Sequence, residues 1–200
     1  SDVCSSVLPG SDEQLALVRG FAVGATKADA PKIKEILDGG MSGLTVDTEM
    51  RWVLVKALAD RGVFGDKEID AELTRDNTAD GARHAAEARA LIESVASKEA
   101  TWKALTTSDL SNHIQRHMLI GFNCPFQQDL YEPYVDKYFA IVKKIWDENS
   151  YEIGKQFADF AFPRYAPTAA NLAKAEKWIA DNADASDGVM RCVKEGRDAL

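Results

Sequence analysis

Apolar residues recur at helical spacing along nearly the whole chain. The clearest stretch is near residues 46–61: Val46, Met50, Val53, Leu54, Ala57 and Leu58 follow the i, i+4, i+7, i+8 rule. Trp52, Val55 and Ala59 form a second apolar stripe there, and a helix apolar on two sides is packed on two sides. Eleven helices are predicted in all. The others lie near 12–25 (Ser11 or Asp12 as cap), 30–38 (Pro31 in the first turn, Gly39-Gly40 as stop), 66–75 and 78–93. Ser97 opens one to about 106 and Ser108 one to about 121. A long helix runs from Pro133 to about 149, with Val135, Tyr138, Phe139, Val142, Ile145 and Trp146 on one face. Ser150, Thr168 and Ser186 open the last three.

No stretch alternates apolar and polar residues long enough to be a strand, and glycine and proline fall almost only at the joints. The predicted fold class is therefore all-α: a curved stack of antiparallel helix pairs, an α-solenoid of the HEAT or armadillo kind. The expected core includes Trp52, Val53, Leu54, Leu58, Tyr138, Phe139, Val142, Trp146, Phe157, Phe160, Leu172 and Ile179.

Composition narrows the partners. Hydrophobic residues make up 46% and charged residues 28% of the 200, a globular balance that excludes disorder. The formal charge is −8 and neither half is basic, so nucleic acid, which demands clustered cations, is not a partner. No run approaches ~18 apolar residues, so no membrane partner is expected. The three cysteines, Cys4, Cys124 and Cys192, are odd in number and widely spaced. They suit a reducing, cytoplasmic location better than a disulfide framework, and Cys124, in Asn123-Cys124-Pro125, is expected to be a buried, inert thiol. The chain opens on Ser1, not Met, and closes at Leu200 within a helical pattern; both ends are expected to be cut from something longer.

One stretch has the spacing of a metal site. His113 and His117 stand at i and i+4, as in the H-E-x-x-H zinc helix, and Asp136 follows at the offset of a distant third ligand. The position that must carry the proton-shuttling carboxylate is Ile114, which can neither take nor return a proton. Pro125 and Pro133 also separate His117 from Asp136. His113, His117 and the remaining histidine, His84, are therefore expected to be structural, with no metal. Asp47 and Arg51 are read as a surface ion pair, and Asp66, Glu68, Asp70 and Glu72 as a solvated acidic end. No P-loop, dinucleotide fingerprint, nucleophile elbow or calcium loop occurs.

An ordered series of phrases carries a resemblance. Thr45-Val46-Asp47-Thr48-Glu49-Met50-Arg51-Trp52 runs into Val53-Leu54-Val55-Lys56-Ala57-Leu58. Glu68-Ile69-Asp70-Ala71-Glu72-Leu73, Asp76-Asn77-Thr78-Ala79-Asp80-Gly81, Lys98-Glu99-Ala100-Thr101-Trp102 and Gly121-Phe122 follow. Then come Tyr134, Tyr138-Phe139, Ile145-Trp146, Phe162-Pro163 and Glu195-Gly196-Arg197-Asp198. Over roughly residues 8–200 the chain resembles the helical, endoplasmic-reticulum-aminopeptidase-like C-terminal domain of the actinobacterial aminopeptidase N family of zinc metallopeptidases.

That resemblance implies a parent enzyme that releases N-terminal residues from peptides. Its zinc sits on H-E-x-x-H plus a distant Glu, and a G-x-M-E-N loop grips the substrate amine; both lie in a thermolysin-like catalytic domain absent from this chain. Neither motif occurs here, so no catalytic, cofactor-binding or metal residue carries over. Residues 1–200 would be one C-terminal domain, not enzymatic alone, that caps the chamber and governs peptide access. Its partners would be its own catalytic domain and peptide substrates. The alternatives are a stand-alone helical-repeat scaffold that binds a protein, and a small zinc enzyme built on His113 and His117.

Overall fold

The structure is a computed structural model and describes residues 10–107 and 109–200. Two compact units divide the chain, Ser1–Glu93 and Ser94–Leu200. The described residues of both are helical and include no strand, as the periodicity requires. None of the helices is long and apolar enough to cross a membrane.

The first unit contains α1 (Asp12–Gly24), a 3-10 turn (Lys27–Asp29), α2 (Ala30–Leu37), α3 (Thr48–Asp60), α4 (Asp66–Arg75) and α5 (Ala79–Leu91). Ser11, Asp47 and Thr78 accept from backbone N–H groups three residues on, giving α1, α3 and α5 their N-caps. Gly39, at φ 85°, takes the left-handed conformation that ends α2. α3 packs against α1, α2, α4 and α5, and buries Met50, Trp52, Leu54, Val55, Ala57, Leu58 and Ala59. Its two apolar stripes thus make it the centre of this unit.

The second unit contains α6 (Val95–Thr107), α7 (Asn112–Phe122), α8 (Gln128–Tyr131), a 3-10 turn (Glu132–Tyr134), α9 (Val135–Glu148), α10 (Tyr151–Phe160), α11 (Ala169–Asp181) and α12 (Asp187–Asp198). α10 packs against α7, α9 and α12. Phe122, Tyr138, Phe157 and Phe162 are wholly buried in the core around it.

Several boundaries differ from expectation. The four-residue α8 is too short to reveal a period, and it leads through the turn holding Pro133 into α9, which starts at Val135. Ser94, not Ser97, stands before α6, its hydroxyl accepting from Ser97 N at 3.1 Å. Ser108 and Cys4 lie outside the described residues; Ser111 caps α7. Half of the expected core, Trp52, Leu54, Leu58, Tyr138, Val142 and Phe157, is buried, while Val53, Phe139, Trp146, Phe160 and Ile179 are partly so. Leu172 is the exception at 37% exposure. On α11 the inner stripe is Asn171, Ala175 and Trp178, so Leu172 stands one step round the helix toward water.

Candidate functional site

The inner face of α7 is Gln115, Leu119, Gly121 and Phe122, and this fixes where its histidines go. His113 is exposed and His117 half-buried. Arg116 places its guanidinium 4.9 Å from the centre of the Phe160 ring. Asp136 is held elsewhere, by Lys174 of α11 at 2.9 Å. With Ile114 in the proton-shuttle position and Asp136 committed to a lysine, these residues do not fit a peptidase zinc centre, and no step is assigned to a metal there.

The remaining expectations in the first unit are redrawn by burial. Asp47 and Arg51 do not pair. Asp47 accepts from Met50 N at 2.8 Å, while Arg51 turns inward and meets Glu72 through two hydrogen bonds of 2.6 Å. Arg51 also donates to the Leu37 carbonyl at 3.2 Å. Glu72 is thus a buried partner, not part of a solvated end. Glu68 closes the start of α4 on Gly65 N at 3.0 Å, and Asp70 pairs with Arg89 of α5. His84 stacks on the Trp52 indole, ring centres 5.6 Å apart, with its Nε2 3.5 Å from the Glu49 carboxylate. The Trp52 indole donates to Asp76 at 2.7 Å, and this hydrogen bond, helped by Thr78, holds the Asp76 carboxyl below its ordinary range.

Two buried cations do main-chain work. Arg61 donates to the carbonyls of Val23 at 2.8 Å and Ala25 at 2.7 Å, fastening the end of α1. Lys98, with no exposed surface, donates to the carbonyls of Gly121 and Phe122 at 3.3 and 3.2 Å. A cation at a helix C-terminus meets the negative end of the helix dipole. The stripe Lys98, Thr101, Leu105 at helical spacing was a signal that this lysine points inward.

Two cysteines, Cys124 and Cys192, lie among the described residues. Cys124 is buried. Burial, followed by a hydrogen bond with Asp159, pushes Cys192 up to about 12, so it stays protonated near neutrality.

One concave feature lies wholly in the second unit. A cleft of about 540 Å³ opens between the end of α6, the inner face of α7 and the junction of α9 with α10. Its lining is mixed: Trp102, Leu105, Ile145 and Ile153 stand beside the polar Thr106, Thr107, Gln115 and Asn149. The structure therefore presents a helical framework with its buried charges directed to helix ends and partner side chains.

Residues 9–200 match the family described as ERAP1-like C-terminal domain, and the chain belongs to that family. Among curated proteins, it is 38% identical over 195 residues to aminopeptidase N of Streptomyces lividans. That similarity covers 96% of this chain and 23% of the relative's length.

Proposed function

We propose that this chain is the non-catalytic C-terminal domain of a zinc-dependent aminopeptidase N, and that it caps the chamber in which N-terminal residues are released from peptides. The observation that carries the reading is the extent of the match: nearly all of this chain corresponds to 23% of an aminopeptidase N. Hydrolysis and zinc binding are then tasks of the thermolysin-like domain of the parent, which is this chain's principal partner.

A cap contributes physically by enclosure. It excludes folded proteins and admits short flexible peptides, and it removes water around the reacting centre, where electrostatic interactions then strengthen. A charge of −8 suits a lining that attracts the peptide ammonium group. Widely spaced cysteines fit a cytoplasmic parent.

The test compares this chain, the parent and a parent lacking the corresponding residues, on a leucine anilide and on peptides of graded length, with zinc content measured for each. The chain alone is expected to release nothing and to hold no stoichiometric zinc. The truncated parent is expected to keep its zinc and lose length preference. Chelator-sensitive turnover by the chain alone, abolished by His113→Ala, overturns the reading. A folded truncated parent indistinguishable from the whole points instead to a separate protein-binding scaffold.

A further inference from the structure

We infer that Asp38-Gly39, at the end of α2, is a site of spontaneous isoaspartate formation, and that the fold protects the chain's two other Asp-Gly steps from it. The inference is independent of the capping role. Asp38-Gly39, Asp80-Gly81 and Asp187-Gly188 share a sequence prone to cyclise, because glycine brings no side chain against the attacking nitrogen. The glycine amide nitrogen attacks Cγ of the aspartic acid. A C–N bond forms, and the carboxyl hydroxyl leaves with the amide proton as water, giving a cyclic succinimide. Water then opens the ring at the main-chain carbonyl. The chain now runs through the former side chain as isoaspartate, with no net change in mass.

Cyclisation swings the glycine nitrogen onto the side chain, so the peptide unit between the two residues must turn. Asp80 and Asp187 stand in the first turns of α5 and α12, where that movement unwinds the helix. Packing also pins their glycines. Gly81 is buried and donates to the Thr78 hydroxyl at 3.0 Å, and a Cβ on it would run into the Asp76 carbonyl. A Cβ on Gly188 would run into the Trp146 ring. Gly39 lies past the end of α2 at φ 85°, with nothing within 4 Å of the place a Cβ would take. Residues 38–40 are all exposed. Two contacts oppose the turn: Gly39 N donates to the Ile36 carbonyl at 3.0 Å, and Lys34 pairs with Asp38 at 2.8 Å. Both sit at a solvated helix end, where opening is local and costs least. The product adds one methylene to the main chain at the start of the connection from α2 to α3.

The test ages the 200-residue chain warm at neutral pH and digests it with trypsin. The peptides are then labelled with an isoaspartyl methyltransferase and radioactive S-adenosylmethionine. Trypsin places the three steps in separate peptides, residues 35–51, 76–83 and 178–191. Label is expected in 35–51 at about fivefold or more above either other peptide, a ratio that a small difference in local opening produces. In a chain aged in guanidinium the three peptides are expected to label alike, since the fold no longer separates them. Asp38→Glu keeps the carboxylate at an exposed position but does not close the five-membered ring, and is expected to remove most of the label from 35–51. Equal labelling of the three peptides in the folded chain, stronger labelling of 76–83 or 178–191, no label at all, or a label in 35–51 undiminished by Asp38→Glu would each overturn the inference. So would the folded order repeated in guanidinium, because sequence and not fold would then set it.

Discussion

Gly196 on α12 lies against the ring of Phe162: a Cβ at this glycine would come within 2.5 Å of Cγ and 2.6 and 2.7 Å of the two Cδ atoms. The ring has little room to retreat, because Tyr138 and Phe139 meet it edge-on at 5.6 and 6.0 Å. Gly196→Ala is therefore expected to destabilise the second unit by about 1–3 kcal/mol through overpacking, despite alanine's better helix propensity. Urea denaturation followed by circular dichroism checks this; a variant as stable as the parent sequence refutes the contact.

The two leucines that sequence treats alike should behave differently. Leu54 on α3 is fully buried, and Leu54→Ala is expected to cost about 2–5 kcal/mol in lost burial and cavity formation. Leu172→Ala, at a position 37% exposed, is expected to change stability by no more than about 0.5 kcal/mol. The same denaturation experiment reads both, and similar losses at the two sites would contradict the phase of α11.

Arg51 and Glu72 form a paired unit whose side chains are 19% and 6% exposed. Removing one partner strands the other away from water. Arg51→Met or Glu72→Met alone should cost about 3 kcal/mol, the lower end for buried pairs because the arginine keeps some solvent contact. The double change should cost less than the sum, and strictly additive losses in a double-mutant cycle would show that the two do not act together.

Asp76 gives the first unit an acid-sensitive contact. Its carboxyl is held low first by the Trp52 indole and then by Thr78. A depressed folded-state pKa contributes stability above the unfolded value of about 3.9, lost as pH falls through the folded value. Asp76→Asn should flatten the stability profile on the acid side, measured as urea midpoints between about pH 3 and pH 6. Other lowered carboxylates, such as Asp29 and Glu68, leave a residual slope in both proteins. Identical slopes with and without Asp76 would remove it from the account.

Local chemistry was the legible layer of this molecule. Ser11, Ser150 and Thr168 cap helices because a short hydroxyl side chain can reach an unpaired N–H, and that needs only near neighbours. Choices settled by distant partners were illegible. Asp47 and Arg51 have the spacing of an ion pair, but α4 supplies Glu72, from 21 positions along the chain, as a better partner. Asn171 takes the inner position next to Leu172 because its amide reaches Glu132 at 3.1 Å and the Ala166 carbonyl at 3.1 Å. A hydrophobicity pattern ranks leucine above asparagine and cannot see those acceptors. The cleft was equally hidden, since its lining comes from four helices and only their packing assembles it.

The presence of two hydrophobic centres, one in each unit, bears on how this chain melts. A single midpoint describes an all-or-none transition, and that description holds only where one cooperative centre exists. Of the four tryptophans, Trp52 belongs to the first unit, whereas Trp102, Trp146 and Trp178 belong to the second. Intrinsic fluorescence therefore reports chiefly on residues 94–200, while the helical ellipticity samples both halves. Disagreement between the two curves would be the thermodynamic signature of separately cooperative halves, and calorimetric and van't Hoff enthalpies would part company with it.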